Sequence, residues 1–166
     1  MKAMQHLVGQ VMPDVELVGS SGGLTNPKHV AGRAVYFCYP YTGRPGVPNP
    51  RGWDDIVGAH GSTPQALAYV ELHKTFTAIG ARVFGVSLLS PEWICDFANR
   101  NDVPFDLLSD EAGYFSSGLE LPRFMIDGVD FLRRITLVAH TGIITYVKFP
   151  VENPEQDAAQ ILAELQ

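Results

Sequence analysis

Two cysteines, Cys38 and Cys95, are the only side chains in this sequence with thiol chemistry. They do not form a C-x-x-C pair, and neither lies near histidines at the spacing of a zinc site. A disulfide oxidoreductase and a structural metal are therefore disfavoured, and we expect no cofactor. Cys38 stands inside the apolar run at residues 33–39, where a thiol is usually core filler.

A predicted helix start at Ser62 is the second feature that could support chemistry. Ser62 is predicted to be the N-cap, Pro64 lies in the first turn, and Gln65 completes an S-x-x-Q capping box. The preceding residues 40–61 contain five Gly and four Pro, so we expect an irregular loop. Loops of this length are usually functional or disordered. The end of the loop, where the helix begins, is therefore the predicted site of interest.

The elements that would position this helix start follow from hydrophobic runs bounded by turn residues. Residues 33–39 and 81–89 indicate strands buried on both faces. Helices are predicted after each strand, at residues 62–80 and 90–99, and a short strand is predicted earlier, at 15–18. Because strand, helix, strand and helix alternate, we predict parallel βαβ units.

The last third of the chain has a different pattern. The predicted pieces are an extended segment at 104–108, a short helix at 111–118, two strands at 132–138 and 143–149 around a turn at 140–142, and a helix at 154–165. A βαβ half followed by an antiparallel hairpin and a closing helix has the connectivity of a thioredoxin-like sheet. We therefore predict an α/β protein with a central mixed sheet flanked by helices, in one domain spanning residues 1–166.

Length and charge limit the classes of function. With 166 residues the chain can form one well-packed core. Twelve basic and eighteen acidic side chains give a formal charge of −6, so nucleic acid is not an expected partner. The N-terminal residues lack the apolar segment of a signal peptide, and no run approaches the length of a membrane span. We expect a cytoplasmic protein that is not associated with a membrane.

Several local patterns resemble one family in their order and spacing. They are Gly9, Pro13, Asp14 and Leu17 near the start, Tyr39-Pro40 after the first central strand, the Gly85–Ser87 triplet, the residues at 104–110, and the R-x-T strand at Arg134–Leu137. The family is the peroxiredoxins of the alkyl hydroperoxide reductase and thiol-specific antioxidant type, most closely the bacterioferritin-comigratory, or Q-type, branch. The resemblance covers nearly the whole chain. Residues 61–67 also resemble a family segment with the sequence G-C-T-P-Q-S-C.

The resemblance implies a thiol peroxidase whose attacking cysteine stands at the position of Ser62. In such a site the helix N-terminus and a nearby arginine, here Arg134, lower the pKa of the thiol and stabilise the thiolate. The thiolate displaces water or alcohol from a hydroperoxide and becomes a sulfenic acid. A thioredoxin-like or glutathione-linked reductant would restore the thiol. A homodimer is one assembly that the resemblance implies.

The sequence departs from the family pattern at the position that matters most. Ser62 has a hydroxyl with a pKa far above that of a thiol, so the chain should not reduce peroxide by this route. Ala59 and Asp55 stand where the family has threonine and proline. An ungapped alternative places Val47 at the cysteine position, but Ser62 alone begins a helix.

The sequence also departs from the family segment at the position of the second, resolving cysteine. Leu67 replaces the near resolving cysteine of the G-C-T-P-Q-S-C segment. Cys95 lies about one helical turn before the place at which some Q-type relatives carry a resolving cysteine, next to the residue matched by Phe97. Two interpretations of Cys95 stay open, a resolving thiol that reaches the site after local unfolding and a buried inert thiol.

Two functions follow from these departures. The first is a thiol peroxidase that acts through a cysteine at position 62, with Ser62 as an engineered or a natural replacement. The second is a catalytically inactive binding or regulatory protein on the same scaffold.

Overall fold

A computed structural model of the chain describes residues 3–166. Its strands are β1 (Leu17–Gly19), β2 (Leu24–Thr25), β3 (Arg33–Cys38), β4 (Ala81–Ser87), β5 (Leu107–Ser109), β6 (Arg123–Ile126), β7 (Val129–Leu132), β8 (Ile135–His140) and β9 (Ile143–Lys148). Its α-helices are α1 (Ser62–Ala78), α2 (Pro91–Arg100), α3 (Tyr114–Gly118) and α4 (Pro154–Leu165). Within the described residues, no helix is both long enough and apolar enough to cross a membrane.

Seven of the strands form one mixed sheet in the order β2-β1-β5-β4-β3-β8-β9. The neighbours β3, β4 and β5 run parallel, whereas β8 pairs antiparallel with β3 and β9 pairs antiparallel with β8. The central strand β3 places Tyr36 beside Phe84 of β4 and Leu137 of β8. The predicted central mixed sheet flanked by helices is confirmed.

The sheet is buried on both faces because β3 alternates its side chains between two cores. Tyr36 and Cys38 face one core, which includes Phe115 of α3. Phe37 faces the other core, where its ring stacks on Tyr69 of α1 with centroids 4.3 Å apart. Helices α1, α2 and α4 all contribute to this second core. The apolar run of β3 thus serves both layers, as its sequence predicts.

The strand predicted at residues 132–138 is wrong in its extent. Arg133 and Arg134 belong to no strand, so the predicted strand is interrupted there: β7 ends at Leu132 and β8 begins at Ile135. The backbone N–H of Arg133 donates to the carbonyl of Pro122 (2.9 Å), which ties the break to the start of a second hairpin, β6–β7. Sequence periodicity did not reveal this hairpin, because its two strands are four residues each.

The loop at residues 40–61 is irregular, as predicted, but it packs closely against its surroundings. Trp53 is 3% exposed and packs edge-on against Phe131 of β7. Arg44 lies over the ring of Trp93 on α2 and donates to Asp96 of the same helix (3.1 Å). The loop is therefore held between the second hairpin and α2.

Candidate active site

Helix α1 begins at Ser62, but its cap differs from the one predicted from the sequence. Gly61 is the N-cap, with a φ of 108°, and Ser62 is the first helical residue. The predicted capping box is wrong, because neither Ser62 nor Gln65 caps the helix with its side chain. A left-handed glycine makes the turn into the helix, and a Cβ there would lie 2.8 Å from Cγ of Pro154. The side chain of Ser62 is thereby free for another partner.

That partner is Arg134, the residue that the resemblance assigns to the same site. Nη1 of Arg134 donates to Oγ of Ser62 (3.1 Å). Both side chains are buried, with exposed fractions of 4% and 3%. Arg133 turns away from the site and lies over the ring of Phe124. The structure thus brings together Ser62 and Arg134, the two residues to which the resemblance points, and the arginine at the site is Arg134 and not Arg133.

The remaining donors of Arg134 tie the end of the loop to the helix. Nη2 donates to the carbonyls of Gly58 (3.2 Å), Ala59 (3.4 Å) and His60 (3.0 Å). Nη1 also donates to Oε1 of Gln65 (2.6 Å). Nε has no hydrogen-bond partner in the described part of the chain. The fixed fork of the guanidinium therefore sets the loop carbonyls and the first turn of α1 relative to each other.

The charge of Arg134 is not neutralised by direct contact with a carboxylate. None of the ion pairs found within residues 3–166 includes it. Burial lowers its pKa to about 10, an effect that the negative charge of Asp157 partly opposes. The guanidinium is therefore cationic at neutral pH. A buried cation of this kind favours a negative charge on the neighbouring side chain at position 62.

Asp157, a fully buried residue of α4, lies behind Gln65. Its Oδ2 accepts from Nε2 of Gln65 (3.0 Å), the hydroxyl of Tyr69 (2.8 Å) and Oγ1 of Thr136 (2.7 Å). Nζ of Lys148 lies 3.3 Å from Oδ1. Asp157 carries no distinguishing signal in the sequence, because acidic residues are common in the first turn of any exposed helix start.

The arrangement can stabilise an anion at residue 62. The N–H groups of the first helical turn, those of Ser62 and Thr63, have no partner within the helix. They add to the positive end of the helix dipole and to the Arg134 cation. A thiol at position 62 would be held as thiolate by these groups. The Ser62 hydroxyl stays neutral, because its pKa is too high for the same effect.

Val47, the alternative place for an attacking residue, lies outside these groups. It is 42% exposed and forms an isolated backbone bridge with Arg44 in the middle of the loop. The position of Ser62, at the start of α1, is the one that has the buried arginine.

Cys95 is not placed with Ser62 and Arg134. It is half-buried on α2 and accepts a hydrogen bond from Nδ2 of Asn99 (3.5 Å). It lines a groove with Val18 of β1 and Gly22 of the turn that follows β1, and no residue of the Arg134 network lines that groove. The two interpretations of Cys95 stay open, and a resolving role would require rearrangement of α2.

Cys38 is fully buried in β3, and burial raises the pKa of its thiol. The expectation that it fills the core is confirmed. Within the described residues, no group of three or more His, Cys, Asp or Glu side chains is placed to hold a metal ion.

Comparison with known proteins places this geometry in context. A family model described as the AhpC/TSA family matches residues 58–147, which is more than half of the chain and includes Ser62 and Arg134. No curated protein sequence matches the chain.

Solved structures of similar fold come from several bacteria. The peroxidoxin BcpB of Mycobacterium tuberculosis is 23% identical, with a TM-score of 0.76 and 95% of each chain covered. The bacterioferritin comigratory protein of Xanthomonas campestris is 23% identical, with a TM-score of 0.74 and 93% of this chain and 94% of that chain covered. A cysteine-to-serine mutant of PrxQ from Xylella fastidiosa is 20% identical, with a TM-score of 0.75 and 95% of this chain and 94% of that chain covered.

Proposed function

This chain belongs to the AhpC/TSA family, and on that premise we propose that its site is that of a thiol peroxidase in which residue 62 attacks hydroperoxides. With Ser62 in place, the site keeps its groups for binding and polarising the substrate but does not reduce it. The observation that carries the proposal is the hydrogen bond from buried Arg134 to the side chain of Ser62 at the start of α1.

The chemistry at position 62 requires sulfur. A thiolate attacks one oxygen of R–O–O–H, the O–O bond breaks, and the sulfur becomes a sulfenic acid. The departing oxygen takes a proton and leaves as alcohol or water. Arg134 would hold the thiolate and the substrate oxygen together and stabilise the charge that moves between them. A serine hydroxyl supplies neither the anion nor a readily oxidised atom.

Hydrogen peroxide and small organic hydroperoxides are the proposed substrates, with a thioredoxin-like or glutathione-linked reductant. Structures of similar fold support this substrate class. The Xanthomonas campestris protein is described by its alkyl peroxide reduction activity. A reduced Prx3 from Vibrio vulnificus, 18% identical, is described in complex with hydrogen peroxide.

The proposal is tested with the variant Ser62→Cys in a peroxide assay driven by a dithiol. We expect Ser62→Cys to consume peroxide and the Ser62 protein to leave it unchanged. Thr63→Cys is the matched control, since it carries a thiol in the same helical turn but away from the Arg134 contact. Peroxide consumption by Thr63→Cys at the rate of Ser62→Cys, or none by either, would contradict the proposal.

A second function, non-catalytic binding or regulation, is favoured by the lack of a thiol at the site within the described residues. Residue 62 is a serine, and Cys95 lines a groove away from Arg134. The genomic codon for residue 62 separates the two functions, because a serine codon there means that the natural chain lacks the nucleophile.

A further inference from the structure

We propose that Asp157 is a positioning residue, which directs Arg134 at residue 62 through the side-chain amide of Gln65. The inference rests on the proposed function, because it concerns how a nucleophile at position 62 is supported. Asp157 lies on α4, and none of its hydrogen bonds or ion pairs within the described residues involves residue 62 or Arg134. Its effect would pass through one hydrogen-bonded amide.

The side-chain amide of Gln65 is held in one direction, with its NH₂ group toward Asp157 and its oxygen toward Arg134. Nε2 of Gln65 donates to Asp157 (3.0 Å), so Oε1 is left to accept from Nη1 of Arg134 (2.6 Å). A carboxylate can only accept hydrogen bonds, and a guanidinium can only donate them. Asp157 therefore fixes the polarity of Gln65 in the one sense that suits Arg134. A reversed amide would set its NH₂ group against the guanidinium.

Asp157 is itself held firmly enough to impose this polarity. Tyr69 and Thr136 donate to the same oxygen as Gln65. The other oxygen, Oδ1, accepts no well-aligned hydrogen bond within the described residues but lies 3.3 Å from Nζ of Lys148. Three structural elements besides α4 thus fix the carboxylate, and Lys148 balances its charge. This arrangement explains how a fully buried carboxylate is retained.

The two ways in which Asp157 could act, by positioning Arg134 or through its negative charge alone, predict opposite changes in the pKa of a thiol at residue 62 when Asp157 is removed. As a bare negative charge, Asp157 would disfavour a thiolate at residue 62, so removing it would lower the pKa of that thiol. As a positioning residue, it favours the thiolate by holding Arg134 in place, so removing it would raise the pKa. The charged and titratable groups that face Asp157 within the described residues include Arg134, Lys148, Tyr69, Tyr146 and Cys38.

The experiment uses Ser62→Cys as background and measures alkylation of the new thiol as a function of pH, followed by mass spectrometry of its peptide. Adding Asp157→Leu removes the carboxylate that accepts from Nε2 of Gln65, so nothing then fixes the direction of the Gln65 amide. We expect alkylation below the thiol pKa to slow by about three- to tenfold, which is a rise of roughly half to one pKa unit.

Asp157→Asn is the conservative variant and provides the rescue. Gln65, Tyr69 and Thr136 all donate to the Oδ2 position, so the Asn oxygen should occupy it and accept from Gln65. We expect the alkylation rate in this variant to lie within about twofold of the background, a change of roughly 0.4 kcal/mol by the usual conversion. Asp110→Leu is the matched control for Asp157→Leu, because Asp110 is also buried but accepts from the first turn of α3, away from the site.

The outcomes separate this inference from the proposed function. Faster or unchanged alkylation in Asp157→Leu, slowing in Asp157→Asn equal to that in Asp157→Leu, or equal slowing in Asp110→Leu would each overturn the positioning role. The expected alkylation pattern without peroxide consumption would support the positioning role and contradict the peroxidase proposal. Thermal unfolding of each variant shows whether the protein is folded in the assay.

Discussion

At the scale of single residues, the site depends on the geometry of one guanidinium. Arg134 donates hydrogen bonds to the side chains of Ser62 and Gln65 and to three loop carbonyls at the same time. A lysine has one compact ammonium group and cannot reproduce this planar fork. The identity of the cation at position 134 therefore matters beyond its charge.

We predict that Arg134→Lys in the Ser62→Cys protein slows peroxide attack by about ten- to a hundredfold, the loss expected for one or two charge-assisted hydrogen bonds. Stopped-flow measurement of the second-order rate with peroxide tests this. Arg133→Lys is the control, because its side chain lies over Phe124 outside the site. Equal effects of the two substitutions would contradict the assigned role.

The two natural cysteines should differ sharply in reactivity. In the folded protein, we predict that iodoacetamide labels Cys95 and leaves Cys38 unlabelled, since Cys38 is fully buried with a raised pKa and Cys95 is half-exposed. Peptide mass spectrometry identifies the labelled site, and denaturant should make both reactive. Early labelling of Cys38 in buffer would show that β3 opens readily.

Oxidation of the Ser62→Cys protein tests the role of Cys95. After one equivalent of peroxide, we predict a persistent sulfenic acid at position 62 and a Cys95 that is still alkylatable, because Cys95 lines a groove on the β1 side of α2. A disulfide between the two would require their Cα atoms to approach within roughly 4.4–6.8 Å. Finding that disulfide would show that α2 rearranges and would assign the resolving role to Cys95.

The sequence pointed to individual residues only where a local motif existed. Ser62 and Arg134 each lay in a recognisable segment, and the structure places them in contact. Asp157 carried no such signal, because its partners Gln65 and Thr136 lie on other elements and only the fold brings them together. Buried polar contacts of this long-range kind cannot be read from spacing along the chain.

At the scale of elements, the start of α1 is set by packing against α4. The sequence predicted α4 at its observed bounds and placed Ser90 as the cap of α2, which accepts from the N–H of Trp93 (3.2 Å). The capping box at Ser62 was wrong, although the pattern is similar. The difference is that Gly61 takes a left-handed conformation against Pro154, so the first turn needs no side-chain cap.

We predict that Gly61→Ala destabilises the protein by more than about 1 kcal/mol, since it adds a disfavoured φ and a steric overlap with Pro154. The melting temperature should fall by at least about 2 °C for a chain of this size. Gly52→Ala is the matched control, because Gly52 has a φ of 85° but open space around it. A drop no larger than in this control would mean that the Pro154 contact is unimportant.

At the scale of the whole molecule, the sheet topology explains how residues distant in sequence meet. Cys38 at the end of β3 pairs with Ile135 at the start of β8. The loop that leaves β3 and Arg134, which immediately precedes β8, therefore lie at the same edge of the sheet. Helix α1 starts where that loop ends. The sequence predicted strands near β3, β4, β8 and β9 and their mixed arrangement, but not the break before β8 that frees Arg134 to turn into the site.

Buried tyrosines should determine how the whole protein responds to alkali. Burial raises the pKa of Tyr36, Tyr39 and Tyr69 above the ordinary value of 10.0. An acid whose pKa is raised by folding binds its proton more tightly in the native state than in the unfolded state. Its stabilising effect is complete below the unfolded pKa of about 10 and is lost as the pH rises above it.

We therefore predict that the free energy of unfolding falls as the pH rises above about 10, and that these three tyrosines ionise only as the protein unfolds. Absorbance at 295 nm followed together with far-ultraviolet circular dichroism tests this. In Tyr36→Phe, the absorbance change that accompanies unfolding should be smaller, because one of the three buried rings can no longer ionise. Full tyrosine ionisation before any loss of secondary structure would contradict the burial of Tyr36, Tyr39 and Tyr69, and with it the packing of the two cores on β3 and α1.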